Sequence, residues 1–67
     1  MDPTATMTRL LDALLDGDVE EAVAAGDDLC CWLDRGGFPP EGWGRSETYG
    51  ACGLTAQLGI RQREVAA

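Results

Sequence analysis

A chain of 67 residues allows one domain with a small core, of a size that often leans on a staple or a partner. Five basic residues against twelve acidic ones leave a net charge of −7 and a pI near 4.1, which argues against direct nucleic-acid binding and against adhesion to an anionic membrane. Hydrophobic residues at 45% and charged residues at 25% describe a globular chain rather than a disordered one.

The first predicted element starts at Asp2-Pro3. Asp2 can accept a hydrogen bond from an early backbone N–H, and Pro3 suits the first helical position, where a missing donor costs nothing. Met7, Leu10, Leu11, Leu14 and Leu15 follow at helical spacing, as one apolar stripe. Gly17 ends this helix by taking the left-handed conformation. Asp18 starts the next one, with Glu21 three residues on in a capping-box pattern and Glu20 beside it at the positive helix end.

The second helix is expected to run through "VEEAVAAGDDLCCWLDR". Val19, Ala22, Val23, Gly26, Leu29, Cys30 and Leu33 share one face, and the small residues at 22 and 26 would let the first helix approach closely. Arg35 complements the helix dipole, and Gly36-Gly37 stop the helix. So short a connector at Gly17 makes the two helices an antiparallel αα-hairpin.

Beyond it, "GGFPPEGWGRSETYGACG" reads as an irregular arm, because its glycines and prolines oppose a continuous helix. Phe38, Trp43 and Tyr49 would lie over the open side of the hairpin. The tail "LTAQLGIRQREVAA" could hold a short helix, with Leu54, Leu58 and Val65 loosely aligned and Gly59 weakening it. The expected fold is therefore mainly α: one small domain over 1–67, with a hairpin at 2–35, an arm at 36–53 and a tail or short helix at 54–67.

The stretch "LLDGDVEEAVAAGDDL" resembles the middle of a tetratricopeptide repeat, with Gly17 and Asp18 at the turn, Glu20 and Glu21 as the acidic pair, and Ala22 at the small packing position. The match covers roughly half of one unit of about 34 residues. The second helix is longer than usual, no second unit follows, and the proline after the second helix arrives late, at Pro39. The resemblance implies a protein-interaction scaffold and carries no peptide-clamp residues.

Catalytic chemistry is sparse. The chain contains no histidine, Ser46 has no evident partner, and "GWGR" lacks the Gly-Lys-Ser/Thr of a phosphate loop, so no enzyme activity and no cofactor is expected. Asp16, Asp18 and Glu20 alternate as calcium ligands do, yet the sixth and twelfth positions of such a loop would fall on Glu21 and Asp27, where glycine and glutamate are required. Cys30, Cys31 and Cys52 fall short of a four-ligand zinc set. The adjacent pair point about 100° apart on a helix, which assigns Cys30 to the core and Cys31 to its edge, with Cys31–Cys52 as a bridge under oxidising conditions. The start "MDPTATMTRLL" shows no secretory pattern, and with three cysteines the expectation is reduced thiols in a cytoplasmic setting.

Surfaces remain. Eight acidic residues, Asp12, Asp16, Asp18, Glu20, Glu21, Asp27, Asp28 and Asp34, stand between Leu10 and Arg35 with no basic residue among them. Together with Trp32, a residue type frequent at interfaces, they form the candidate interaction surface. Three functions fit this pattern. The first is a non-enzymatic interaction or structural module that binds a protein partner or itself, two hairpins pairing into a four-helix bundle. The second is an acidic inhibitor that mimics nucleic-acid phosphates toward a basic protein. The third is a peptide precursor whose helical leader ends at Gly37.

Overall fold

The computed structural model describes residues 1–66, and the side chains through residue 64. It is built from three helices: α1 (Pro3–Leu15), α2 (Val19–Asp34) and α3 (Arg45–Ala66).

The ends of α1 and α2 form as their residues require. Asp2 accepts from the backbone N–H groups of Thr4 (3.0 Å) and Ala5 (3.2 Å), and Pro3 opens α1. At the other end Gly17 takes φ 73°, and the N–H groups of Gly17 and Asp18 return to the carbonyls of Leu14 and Ala13. This is a Schellman closure, which satisfies carbonyls that the helix leaves open. The side chain of Asp18 accepts from Glu21 N–H at 3.2 Å and so starts α2 immediately. The same closure ends α2, where Gly36 (φ 87°) and Gly37 donate to Leu33 and Trp32.

The irregular segment is shorter than expected. It spans only residues 35–44, and the region assigned to an arm over 36–53 becomes helix from Arg45 onward. Gly42 (φ 83°) allows a tight turn in which Trp43 N–H reaches Pro40 C=O at 3.0 Å. Glu47 accepts from Gly44 N–H at 2.8 Å, reaching back over the first turn as the glutamate of a capping box does. Arg45 stitches the segment down: its guanidinium donates to Leu33 C=O (3.0 Å) and Gly37 C=O (2.7 Å). Arg45 thus places a cation at the C-terminal end of α2, the position that Arg35 was expected to hold.

Helix α2 is the middle helix. α1 and α3 each pack along it; their backbones do not approach one another, while Met7 and Leu10 of α1 share one core cluster with Cys52 of α3. Gly26 faces Cys52 and Thr55, Val23 faces Gly59, and Asp34 meets Tyr49, so α3 runs antiparallel to α2 and parallel to α1. The core consists of Met7, Leu10, Ala25, Leu29 and Cys52, with Cys30, Trp43 and Ala51 packed against it.

The inner face of α3 reverses the expected one. Leu54 and Leu58 are exposed, and the buried positions are Thr48, Cys52 and Thr55. The threonine hydroxyls are kept satisfied by their own helix: Thr48 donates to Gly44 C=O and Thr55 to Cys52 C=O, both at 2.8 Å. Small residues dominate because the helices come very close. A methyl on Gly26 would lie 2.6 Å from Thr55 Oγ1, and one on Gly59 would lie 2.8 Å from Val23 Cγ2. Gly26 therefore serves α3 more than α1, whose Leu10 Cδ1 stands at an ordinary 3.7 Å. Val65, aligned with Leu54 and Leu58 in the sequence, lies outside the described side chains.

In α1 the buried residues are Pro3, Met7, Leu10 and Ala13. Leu11, Leu14 and Leu15, expected in the core stripe, remain exposed. Ala13 takes a core place instead.

Replacing Gly26 tests the close approach. Alanine favours an isolated helix by about 1 kcal/mol, whereas overpacking costs about 1–3 kcal/mol. Gly26→Ala is expected to lower stability by about 1 kcal/mol net in urea unfolding followed by circular dichroism. The same substitution in a Thr55→Ala background is expected to raise it, since the helix preference remains and the obstructing hydroxyl is gone.

Candidate interaction surfaces

The acidic residues divide into three groups. Asp18 is committed to starting α2. Glu21 and Asp28 are paired with Arg9, whose guanidinium reaches across from α1 to both carboxylates, Asp28 at 2.9 Å. The sequence shows no arginine near these acids, and the fold supplies one from the neighbouring helix. The two carboxylates raise the Arg9 pKa, chiefly through the hydrogen bond to Glu21. Asp12, Asp16, Glu20 and Asp27 are exposed, and Arg9 makes every side-chain ion pair among the described residues.

Asp34 stands apart from the strip. It accepts from the Tyr49 hydroxyl at 2.6 Å and, weakly, from the Cys30 thiol at 3.9 Å. This hydrogen bond raises the Tyr49 pKa, as does the loss of solvent around the ring. Burial raises the pKa of Cys52, and burial followed by the charge of Asp34 raises that of Cys30.

Trp32 is half-buried and held within the fold. Its indole N–H donates to Phe38 C=O at 2.8 Å, and the two rings meet edge to face at 5.6 Å. Gly37 lies against the indole so tightly that any side chain there would strike it. Phe38 itself is 63% exposed. The open part of this aromatic pair is thus Phe38.

A second surface was not foreseen. Arg9 marks the flank of α2 that α1 covers, and Tyr49 marks the opposite flank. Helical spacing places Leu11 and Leu14 about 150° from Arg9, and Ala51, Leu54 and Leu58 about 160° from Tyr49. The two outer helices therefore turn apolar edges toward one another across α2 without closing on each other. Leu54 is 65% exposed and Leu58 42% exposed. The exposed acids Glu20 and Asp27 lie on the far side of α2. The molecule thus has an acidic back and a front on which Leu54 and Leu58 stand open, with exposed Glu47 and Gln62 on the same side of α3.

Where α3 runs alongside the start of α2, a shallow cavity of about 360 Å³ is lined by Val19, Val23 and Gly59, with Asp18, Glu20 and Arg63 at its rim. Among the described residues, no three Cys, Asp or Glu side chains come together as a metal-binding group, and no helix is long and apolar enough to cross a membrane.

No family model, curated protein or solved structure matches the chain.

Leu11 and Leu14 read as core in the sequence, since leucine is the usual core residue, and Leu54 and Leu58 as loosely aligned residues of a short helix. The signal that could have exposed them is the second small-residue register, Thr48-Cys52-Thr55-Gly59, at spacings of four, three and four.

Two expectations follow from these groups. Arg9→Gln should lower the thermal midpoint in low salt, and the difference should shrink in molar salt, because exposed pairs are screened. Alkali should also destabilise the fold. The folded state holds the protons of Cys30, Cys52 and Tyr49 above the pH at which the unfolded chain releases them. Their contribution is complete below about pH 8, where both states are protonated, and is lost as pH rises through the folded-state values. The urea midpoint, measured under reductant, should fall from about pH 8 upward, and Tyr49→Phe or Cys52→Ala should each flatten the decline.

Proposed function

We propose that this protein is a non-enzymatic interaction or structural module that works through the apolar front of α1 and α3. The supporting observation is the pair of leucine edges, Leu11 and Leu14 opposite Leu54 and Leu58, left open in a chain that has few large apolar residues to spare. A small chain that leaves these four leucines outside while Thr48 and Thr55 lie inside gains from covering that front. A helical partner would lie along it, and a second copy of the chain, front to front, would give the four-helix type of packing or a larger helical assembly.

A second reading, an acidic inhibitor of a basic nucleic-acid-binding protein, rests on Asp12, Asp16, Glu20 and Asp27, which are exposed and not paired with Arg9. A peptide precursor cut after Gly37 has less in its favour. Gly37 is bonded on both sides, to Trp32 through its N–H and to Arg45 through its carbonyl, so a protease would first have to pull this segment out.

Salt separates the first two readings. Copies carrying −7 each repel, so self-association through an apolar front should strengthen as salt rises, whereas a contact between carboxylates and a basic protein should weaken. Sedimentation velocity at two concentrations and two salt levels should show a shift toward dimer at high concentration and high salt. Leu54→Glu with Leu58→Glu should sediment as a monomer with unchanged helical content. A wild-type chain that stays monomeric throughout would count against self-association.

A further inference from the structure

The three cysteines occupy different surroundings. Cys31 is exposed on the outside of α2. Cys52 is 7% exposed within the core cluster, and Cys30 is half-buried against the same cluster. Both of these sit in the seam between α2 and α3.

The geometry of the seam brings them together. Gly26 has no side chain, and a methyl there would stand 3.6 Å from Cys52 Cα, so the backbones are close at that level. Cys30 lies one turn further along α2, roughly 6 Å away. In a helix each side chain leans toward its own N-terminus, and α2 and α3 are antiparallel. Cys52 therefore leans toward the C-terminal part of α2, where Cys30 stands, and Cys30 leans back toward Cys52. Burial first, and then a charge on Cys30, raise the Cys52 pKa, in keeping with this arrangement. A disulfide requires Cα atoms about 4.4–6.8 Å apart with converging Cβ vectors, and the opposed lean of the two side chains across this close seam points toward that geometry.

We propose that Cys30 and Cys52 are a dithiol that closes to an intramolecular disulfide joining α2 to α3, with a low-molecular-weight disulfide as the oxidant. Cys30, the more accessible thiol, loses its proton and attacks one sulfur of the oxidant. The oxidant S–S bond breaks, a mixed disulfide forms, and the departing small thiolate takes up a proton. Cys52 then loses its proton and attacks Cys30 Sγ, expelling the second small thiol. In total two protein thiols give up two electrons and two protons, and the oxidant is reduced to two thiols. Cys31, which the sequence pairs with Cys52, points away from the seam and takes no part.

The full chain, freshly reduced and then exposed to oxidised glutathione, tests this. Non-reducing trypsin digestion should yield residues 10–35 linked to residues 46–61, with the protein mass lower by two hydrogens. Cys31→Ser, a change at an exposed position, should give the same link, and its thermal midpoint should rise by about 10 °C and return on reduction. Cys30→Ser, which retains Cys31, should lose the link while keeping its helical content by circular dichroism. Glutathione adducts without a linked peptide in Cys31→Ser would overturn the proposal. So would a link in Cys30→Ser that forms as readily as in the wild type, since Cys31 would then be the partner.

Discussion

The contact of Gly26 with Thr55 governs this structure. A helix pair normally separates to make room for its side chains, and here glycine on α2 and small residues on α3 remove that need. Once the backbones are this close, the seam admits only Thr48, Cys52, Thr55 and Gly59 from α3. The leucines of the same helix must then lie elsewhere. The exposed front and the close seam are two consequences of one packing choice, and so is the juxtaposition of Cys30 with Cys52.

That choice also explains how α3 tolerates its glycines. Gly50 and Gly53 face open space, and each costs a helix about 1 kcal/mol against alanine. Gly59 earns its place against Val23, where a larger residue would push α3 away. The helix is anchored at its start by Glu47 and Arg45, whose side chains bond backbone groups of the connector and of α2. Packing and anchoring at one end offset an indifferent propensity, as tertiary contacts commonly do.

Charge is arranged with the same division of sides. Arg9 neutralises the two acids nearest α1, and Asp18 and Asp2 are spent on helix starts. What remains charged and open on α2 lies behind it, away from the leucine edges. Mutual repulsion of the acidic backs and attraction of the apolar fronts would favour front-to-front contact between copies, which is the physical basis of the proposed module.

The ends of the first two helices were legible because their instructions are local. Asp2-Pro3, Gly17-Asp18 and Gly36-Gly37 act within a few residues, through backbone hydrogen bonds that hardly depend on the rest of the chain. The face of α2 was legible in part: Ala22, Gly26, Leu29 and Leu33 recur at helical spacing and are buried, Val19, Val23 and Cys30 are half-buried, and the buried Ala25 lay outside the expected face. The third helix was not. Its buried face is small and partly polar, its glycines resemble loop punctuation, and its leucines point to the wrong side. The partner of Arg9 and the pairing of the cysteines were equally hidden, because each joins residues of different helices. Sequence by itself determined where two helices begin and end, that the chain is helical and acidic, and that it lacks histidine chemistry. Tertiary structure alone decided which side of α3 faces inward, because the separation of two helices depends on the side chains of both, and no single stretch contains that information.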